Sequence, residues 1–273
     1  MKPLPRIALV ILLVTLSAAA AAAQIAFVGE LSNDRQASSG DSYEGSFTLR
    51  NDSNQPAEAK IYQTDYGFSC DGTTEYGEAG RMARSNAHWI EFRPDRPVLP
   101  PRSSVVVQYS VKVPRNASSD SLKGCYWSML MVEGVSSGSP ESSLPSAGRQ
   151  AMGLQQTIRY GIQIATHITG TGTSSVQFSD PALTQVDSVG KALRISISNT
   201  GENWMRPDVY LELFDASGKS HGRIQGSTFR MYPGTCVRQE IKLPSLPPGD
   251  YTALVVVDAG GERAFGAQYT VKL

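Results

Sequence analysis

The stretch Ser104-Val105-Val106-Val107-Gln108-Tyr109-Ser110-Val111-Lys112-Val113 decides the fold class. Val105, Val107, Tyr109, Val111 and Val113 share one side of an extended chain, with Ser104, Gln108, Ser110 and Lys112 on the other. Side chains alternate across a strand with period 2, so the pattern predicts a strand with one buried and one solvated face. The signature recurs on both sides. Phe47 and Leu49 precede the turn-rich Asn51-Asp52-Ser53-Asn54-Gln55-Pro56, Leu193, Ile195 and Ile197 precede Asn199-Thr200-Gly201, and Val209, Leu211 and Leu213 precede Asp215-Ala216-Ser217-Gly218. No 3.6-residue apolar period is sustained, so the chain reads as all-β, with strand spacing that suits immunoglobulin-like β-sandwiches.

An internal repeat predicts two such domains in tandem. Val98-Leu99-Pro100-Pro101 opens a strand closed by Val113-Pro114, and a polar loop leads to Gly124-Cys125-Tyr126-Trp127-Ser128-Met129-Leu130-Met131-Val132-Glu133. Met231-Tyr232-Pro233-Gly234 opens a strand closed by Leu243-Pro244, and a loop leads to Gly249-Asp250-Tyr251-Thr252-Ala253-Leu254-Val255-Val256-Val257-Asp258. Turn, strand, proline exit, Gly-x-Tyr, strand and acidic stop thus appear twice, as a duplicated unit would give. The expected division is an N-terminal domain over 24–169, a small polar linker over 170–175 with the composition of a flexible joint, and a C-terminal domain over 176–273. Two long segments, Phe68 to Ala87 and the serine- and glycine-rich Gly134 to Gln150, read as loops, the second as disordered.

Residues 1–23 have the layout of a cleaved signal peptide: basic Lys2 and Arg6, an apolar run from Ile7 to Leu16, and the alanine tract Ala18 to Ala23, which would leave Gln24 first. No later run approaches the ~20 apolar residues of a spanning helix, so no membrane insertion is expected after cleavage. Removing Lys2 and Arg6 from 25 basic residues leaves 23 against 25 acidic ones. A nearly neutral chain gives no bulk-charge case for nucleic acid.

The inventory for catalysis is thin. His88, His167 and His221 are scattered, with no His-x-x-x-His or Cys-x-x-Cys spacing, so no metal site is expected. A Gly-x-Ser-x-Gly elbow and a P-loop are absent, and neither enzymatic activity nor a cofactor is expected. Of the three cysteines, Cys70 and Cys125 fall within one predicted domain, and their pairing in an oxidising compartment is one expectation, with Cys236 left as a lone thiol.

The most informative segment ends the first domain. Met152, Leu154, Ile158, Tyr160, Ile162 and Ile164 all point one way, with only Gln156 breaking the apolar series. About 13 alternating residues is more than twice the usual strand length. Two readings follow: a last strand buried between its own sheets, or an edge that lends backbone hydrogen bonds to a partner while alternate side chains fill the partner's groove.

Two tandem immunoglobulin-like domains with this long last strand resemble the periplasmic pilus chaperones, the PapD-like superfamily. Phe47-Thr48-Leu49-Arg50-Asn51-Asp52 looks like that family's second strand and its asparagine turn. Val98-Leu99-Pro100-Pro101-Arg102-Ser103-Ser104 resembles its leucine-proline-glycine turn, with Pro101 or Arg102 where glycine is usual. Gly124-Cys125-Tyr126-Trp127-Ser128-Met129 is similar to its aromatic strand, and Thr157-Ile158-Arg159-Tyr160 to its basic last strand. The resemblance implies a non-catalytic periplasmic protein that complements an extended strand or C-terminus of an envelope protein subunit. It also implies a carboxylate anchor in the interdomain cleft, with Arg159 at the last-strand position. A first-strand partner is missing, since Gln24 to Ser32 holds no Lys or Arg and the nearest basic residue is Arg35. The competing expectation is a structural or adhesive envelope module that binds cell-wall polymer or surface proteins.

Overall fold

The computed structural model describes residues 25–115, 122–145, 158–186, 190–261 and 263–273. The signal-peptide reading therefore lies outside the described residues, as do Met152 and Leu154. The first half contains β1 (Ile25–Val28), β2 (Ser32–Ala37), β3 (Ser42–Asn51), β4 (Ala57–Phe68) and β5 (Thr74–Gly77). It continues with β6 (Ile90–Arg93), β7 (Val98–Leu99), β8 (Ser104–Lys112), β9 (Gly124–Val135) and β10 (Arg159–Ile168). One sheet has the order β1-β3-β8-β6 and faces a second of order β2-β10-β9-β4-β5, with β7 paired to β4.

Between them lies a core of Phe47, Leu49, Val107, Tyr109 and Val111 from one sheet and Ala59, Ile61, Leu130, Val132, Ile162 and Ile164 from the other. The alternation in Ser104–Val113 is thus a one-sided sheet face: Val107, Tyr109 and Val111 are buried, while Val106 and Gln108 are exposed.

The second half contains β11 (Val176–Gln185), β12 (Lys191–Asn199), β13 (Asp208–Phe214), β14 (Ser220–Gln225), β15 (Cys236–Lys242), β16 (Asp250–Asp258) and β17 (Ala264–Lys272). Sheets of order β11-β12-β15 and β14-β13-β16-β17 enclose a separate core that includes Leu193, Ile195, Ile197, Leu211, Leu213 and Val255.

The duplication extends to hydrogen bonding. Asn51 ends β3 fully buried; its Nδ2 donates to the carbonyls of Gln55, Leu99 and Pro100, and its Oδ1 accepts from Ser53. Asn199 ends β12 fully buried; its Nδ2 donates to the carbonyls of Asn203 and Met231, and its Oδ1 accepts from the Gly201 N–H. Each asparagine ties a strand end to the turn before the next strand of its sheet, satisfying carbonyls that would otherwise be buried without donors. The paired turns carry Arg102 at φ +56 and Gly234 at φ +78, so an arginine holds in the first domain the left-handed position that glycine fills in the second.

The described parts of the two long segments are more ordered than their composition suggests. The first contains β5 and a loop gathered by the buried Asp65 carboxylate, which accepts from the N–H groups of Gly80 and Met82. Glu58, also buried, accepts from the Ser142 hydroxyl and the Ser143 N–H, and so holds the described part of the serine-rich segment against β4.

Candidate functional site

β10 has two edges, and they are occupied differently. Along its whole length it pairs antiparallel with β9, from Arg159↔Glu133 to Ile168↔Gly124. On the other edge, parallel β2 covers only Gln163 to Ile168, and the Gln163 N–H to Leu31 carbonyl bond of 2.8 Å is where this contact begins. The cause is a change of sheet by the first strand. β1 pairs with β3 in the opposite sheet, the chain turns at Gly29 with φ +145, and only then does it cross over to become β2. Arg159 to Ile162 is consequently an edge with no strand on one side among the described residues. Since a residue's N–H and C=O point to the same edge and alternate along a strand, Gly161 and Arg159 share the direction of Gln163 and face that opening.

Exposed apolar side chains occur at the start of β10 and on the first-strand segment that crosses between the sheets. Ile158 is 36% exposed, Val28 44% and Leu31 49%. Tyr160 is half-buried, its ring stacked on Phe27 with centroids 5.8 Å apart and its hydroxyl donating to the Ile25 carbonyl. The predicted apolar series is therefore divided. Ile162 and Ile164 are closed inside the domain's own core, whereas Ile158 and part of Tyr160 remain accessible. Burial inside the domain's own sheets thus describes Ile162 and Ile164, and the outer part of the described strand is left open.

Arg159 does not stand in the interdomain cleft. It pairs with Glu133 at 3.1 Å at the start of β10, nine residues before Ile168, which spans about 30 Å at strand rise. The joint lies at the other end, where Gly124, the partner of Ile168, touches the second domain.

The expected bridge between Cys70 and Cys125 does not form. Cys70 is bonded to Cys236 across the domains, and Cys125 is a buried thiol. The reason lies in the ladder: β4 leaves β9 after Thr64↔Met129 and continues as a hairpin with β5, whose tip carries Cys70 to the start of β15. Burial pushes the Cys125 thiol pKa upward.

Around this bridge the domains share a contact core. Trp127 stacks on Tyr232, centroids 4.5 Å apart and rings 11° from parallel, and Tyr232 is fully buried. Arg230 makes a two-pronged bond to Asp34, 2.8 Å on each arm, and lies over the Trp204 ring. The Tyr232 hydroxyl donates to Gln163 Oε1, and Trp204 Nε1–H donates to His167. Burial alone would raise the Asp34 pKa, but nearby His167 and the two-pronged bond from Arg230 hold it below the ordinary carboxylate value. Beside these groups an open cleft of about 580 Å³ receives Arg35 and His167 from the first domain and Trp204, Arg206 and Arg263 from the second. Sequence reading noted Arg35 but had no signal for Arg206 or Arg263, which reach the cleft only once the domains are docked. Among the described residues no helix is long and apolar enough to cross a membrane.

No family model and no curated protein sequence matches this chain. Solved structures do match over most of its length. The chaperone–tip adhesin complex of CFA/I fimbriae biogenesis aligns with a TM-score of 0.50 and 12% identity, covering 91% of this chain and 98% of that one. The class 5 fimbriae chaperone CfaA gives 0.48 at 15% identity over 89% of this chain and 98% of that one. The CsuC–CsuE pre-assembly complex from the Csu pili of Acinetobacter baumannii gives 0.45 at 13% over 90% and 98%. The first of these shows that the two-sandwich fold is shared with pilus chaperones.

Proposed function

We propose that this chain is a secreted, non-catalytic chaperone-like protein of the periplasm that holds an extended segment of an envelope protein subunit by strand addition to β10. The half-paired edge at Arg159–Ile162 carries the reading. It offers backbone groups with no strand partner among the described residues, next to the exposed Ile158, the combination that strand addition requires. Proteins ordinarily suppress such edges with charge or cover, and here the one charge on the edge, Arg159, is folded back onto Glu133. An interdomain disulfide suits an oxidising compartment and the signal-peptide reading. Acting by complementation, the protein needs geometry and no reactive group.

A partner ending in a free carboxylate has two basic places to reach: Arg159 at the outer end of the edge, and the cleft with Arg35, Arg206 and Arg263 at the inner end. We assign the partner's chain end to the cleft, because Arg159 is already engaged by Glu133.

The test is a photo-crosslinking amino acid at position 158 in the native host, with the adduct identified by mass spectrometry and the Ile158→Asp variant as competitor. An envelope protein subunit captured through an extended segment, displaced by unlabelled wild type but not by the Ile158→Asp competitor, is the expected result. Capture of cell-wall polymer would favour the adhesive-module reading. Exchange at the Gly161 and Arg159 amides that stays fast when the captured subunit is bound would refute strand addition outright.

A further inference from the structure

The sequence between the domains, Thr169-Gly170-Thr171-Gly172-Thr173-Ser174-Ser175, has the composition of a swivel, and in the folded molecule it is not free to act as one. The N–H groups of Glu202 and Asn203 donate to the Thr173 carbonyl, and those of Thr200 and Gly201 to the Ser175 carbonyl. The Cys125 N–H donates to the Glu202 carbonyl across the boundary. Approach here is so close that a Cβ on Gly124 would lie 2.1 Å from that carbonyl oxygen, and one on Gly172 would lie 2.6 Å from Gly124 Cα. This seam is one covalent attachment of the second domain to the first.

The second attachment is the Cys70–Cys236 bridge, and it is reached by an arm. β4 and β5 project past the β9 ladder as a hairpin whose strand β5 is exposed at every residue. The tip of this arm crosses to the first residue of β15, with Cα atoms 4.5 Å apart. Trp127, Tyr232, Tyr66 and Phe68 fill the space next to it. A body tethered at one point can turn about that point in any direction, whereas one tethered at two can turn only about the line that joins them. With the aromatic stack between the domains, even that rotation is obstructed.

We propose that Cys70–Cys236 is an oxidation-dependent clamp that fixes the angle between the two domains and hence the width of the arginine-lined cleft. The clamp closes by thiol–disulfide exchange with an external disulfide: two thiols give up two electrons and two protons, and the external disulfide becomes a dithiol. A dithiol reductant reverses it. Cys70 is half-buried and is the end an attacking thiolate reaches, while Cys236 is buried. Cys125 does not enter the exchange, since it is buried in the aromatic cluster. The clamp is a property of the chain itself and holds whatever occupies the β10 edge.

Residual dipolar couplings on the mature chain measure this directly. In the oxidised wild type, and in Cys125→Ser as control, one alignment tensor is expected to fit both domains. In Cys70→Ser/Cys236→Ser each domain should keep its own internal fit, but the two tensors should differ in magnitude, the signature of interdomain motion. A single tensor in that double variant would overturn the proposal, as would two unequal tensors in the oxidised wild type. Should the double variant fail to fold, folded wild type is reduced under native conditions with a small dithiol, and alkylation confirms that both cysteines are free. A common tensor after confirmed reduction overturns the clamp, and separate tensors support it.

Discussion

At the scale of single residues, the three cysteines make the sharpest contrast between type and environment. Cys70 and Cys236 meet across the domain boundary, while Cys125, the residue next to the joint, is fully buried with its thiol pKa raised. A thiol reacts as its thiolate, and desolvation disfavours that form. Native protein should therefore resist a maleimide at all three positions, and denatured, unreduced protein should take up one label per chain at Cys125; rapid native labelling would contradict this placement. The buried amides give a second residue-scale outcome. Asn51→Ala strips donors from the Gln55, Leu99 and Pro100 carbonyls at once, and leaving buried acceptors unpaired costs about 1–3 kcal/mol each before relaxation. A loss of about 3 kcal/mol in urea unfolding is expected for Asn51→Ala, and a comparable one for Asn199→Ala, which removes two such bonds. Neither role could be read locally: an asparagine followed by Asp-Ser or Thr-Gly signals a turn, but not that its side chain reaches 48 residues onward to a second turn.

At the scale of elements, alternation was readable where a strand's own residues settle its fate and silent where a neighbour does. β8 shows its buried and exposed faces in its own letters because it lies between β3 and β6 with only one side toward the core. β2 reads Ser-Asn-Asp-Arg-Gln-Ala, with no apolar alternation, yet it pairs with β10 over six residues and decides which part of that strand stays open. The extent of the open edge at Arg159–Ile162 therefore depended on a polar strand more than 120 residues earlier, which periodicity could not reveal. The first domain's turn has no glycine at its left-handed position; Arg102 sits there at φ +56 and donates to Asn54 from Nε. Left-handed backbone costs a non-glycine residue about 1–2 kcal/mol, and the exposed side-chain bond returns only part of that. Arg102→Gly should raise the midpoint of thermal unfolding, with a gain of at most about 1 kcal/mol once the added freedom of the unfolded chain is counted; a lower midpoint would show that the Asn54 contact dominates.

At the scale of the molecule, the cores of the two sandwiches are independent, and what joins them is a third, mixed cluster with a covalent bridge at its margin. The bridge closes a separation of 166 residues, for which the chain-entropy model gives about 5 kcal/mol of stabilisation. The non-covalent share includes the pair between Asp34 and Arg230, whose side chains are 27% and 21% exposed, and it should be sensitive to acid. Asp34 has a folded pKa below its ordinary value of 3.8 because His167 and Arg230 favour its charged form against the cost of burial. A depressed folded pKa means that the unfolded chain takes up the proton first on acidification. The contribution is thus complete above about pH 5, and it is lost as the pH falls through 3.8 toward the lower folded value. Charge-assisted hydrogen bonds are worth about 1.5–3 kcal/mol, and partial exposure places this pair at the lower end. Asp34→Asn should cost about 1–2 kcal/mol at pH 7, leaving Arg230 half-buried without its carboxylate. The penalty should shrink as the pH falls through 3.8 and approach zero once it has passed the lower folded value, where the wild type has lost the same charge. Urea midpoints of the two proteins measured from pH 7 to pH 2.5, with the disulfide intact in both, should converge on the acid side. Parallel curves would mean that the Asp34 carboxylate contributes nothing through its charge, and that the uncharged contacts, from the stack of Trp127 on Tyr232 to the Cys125–Glu202 backbone bond, supply the non-covalent share beside the Cys70–Cys236 bridge.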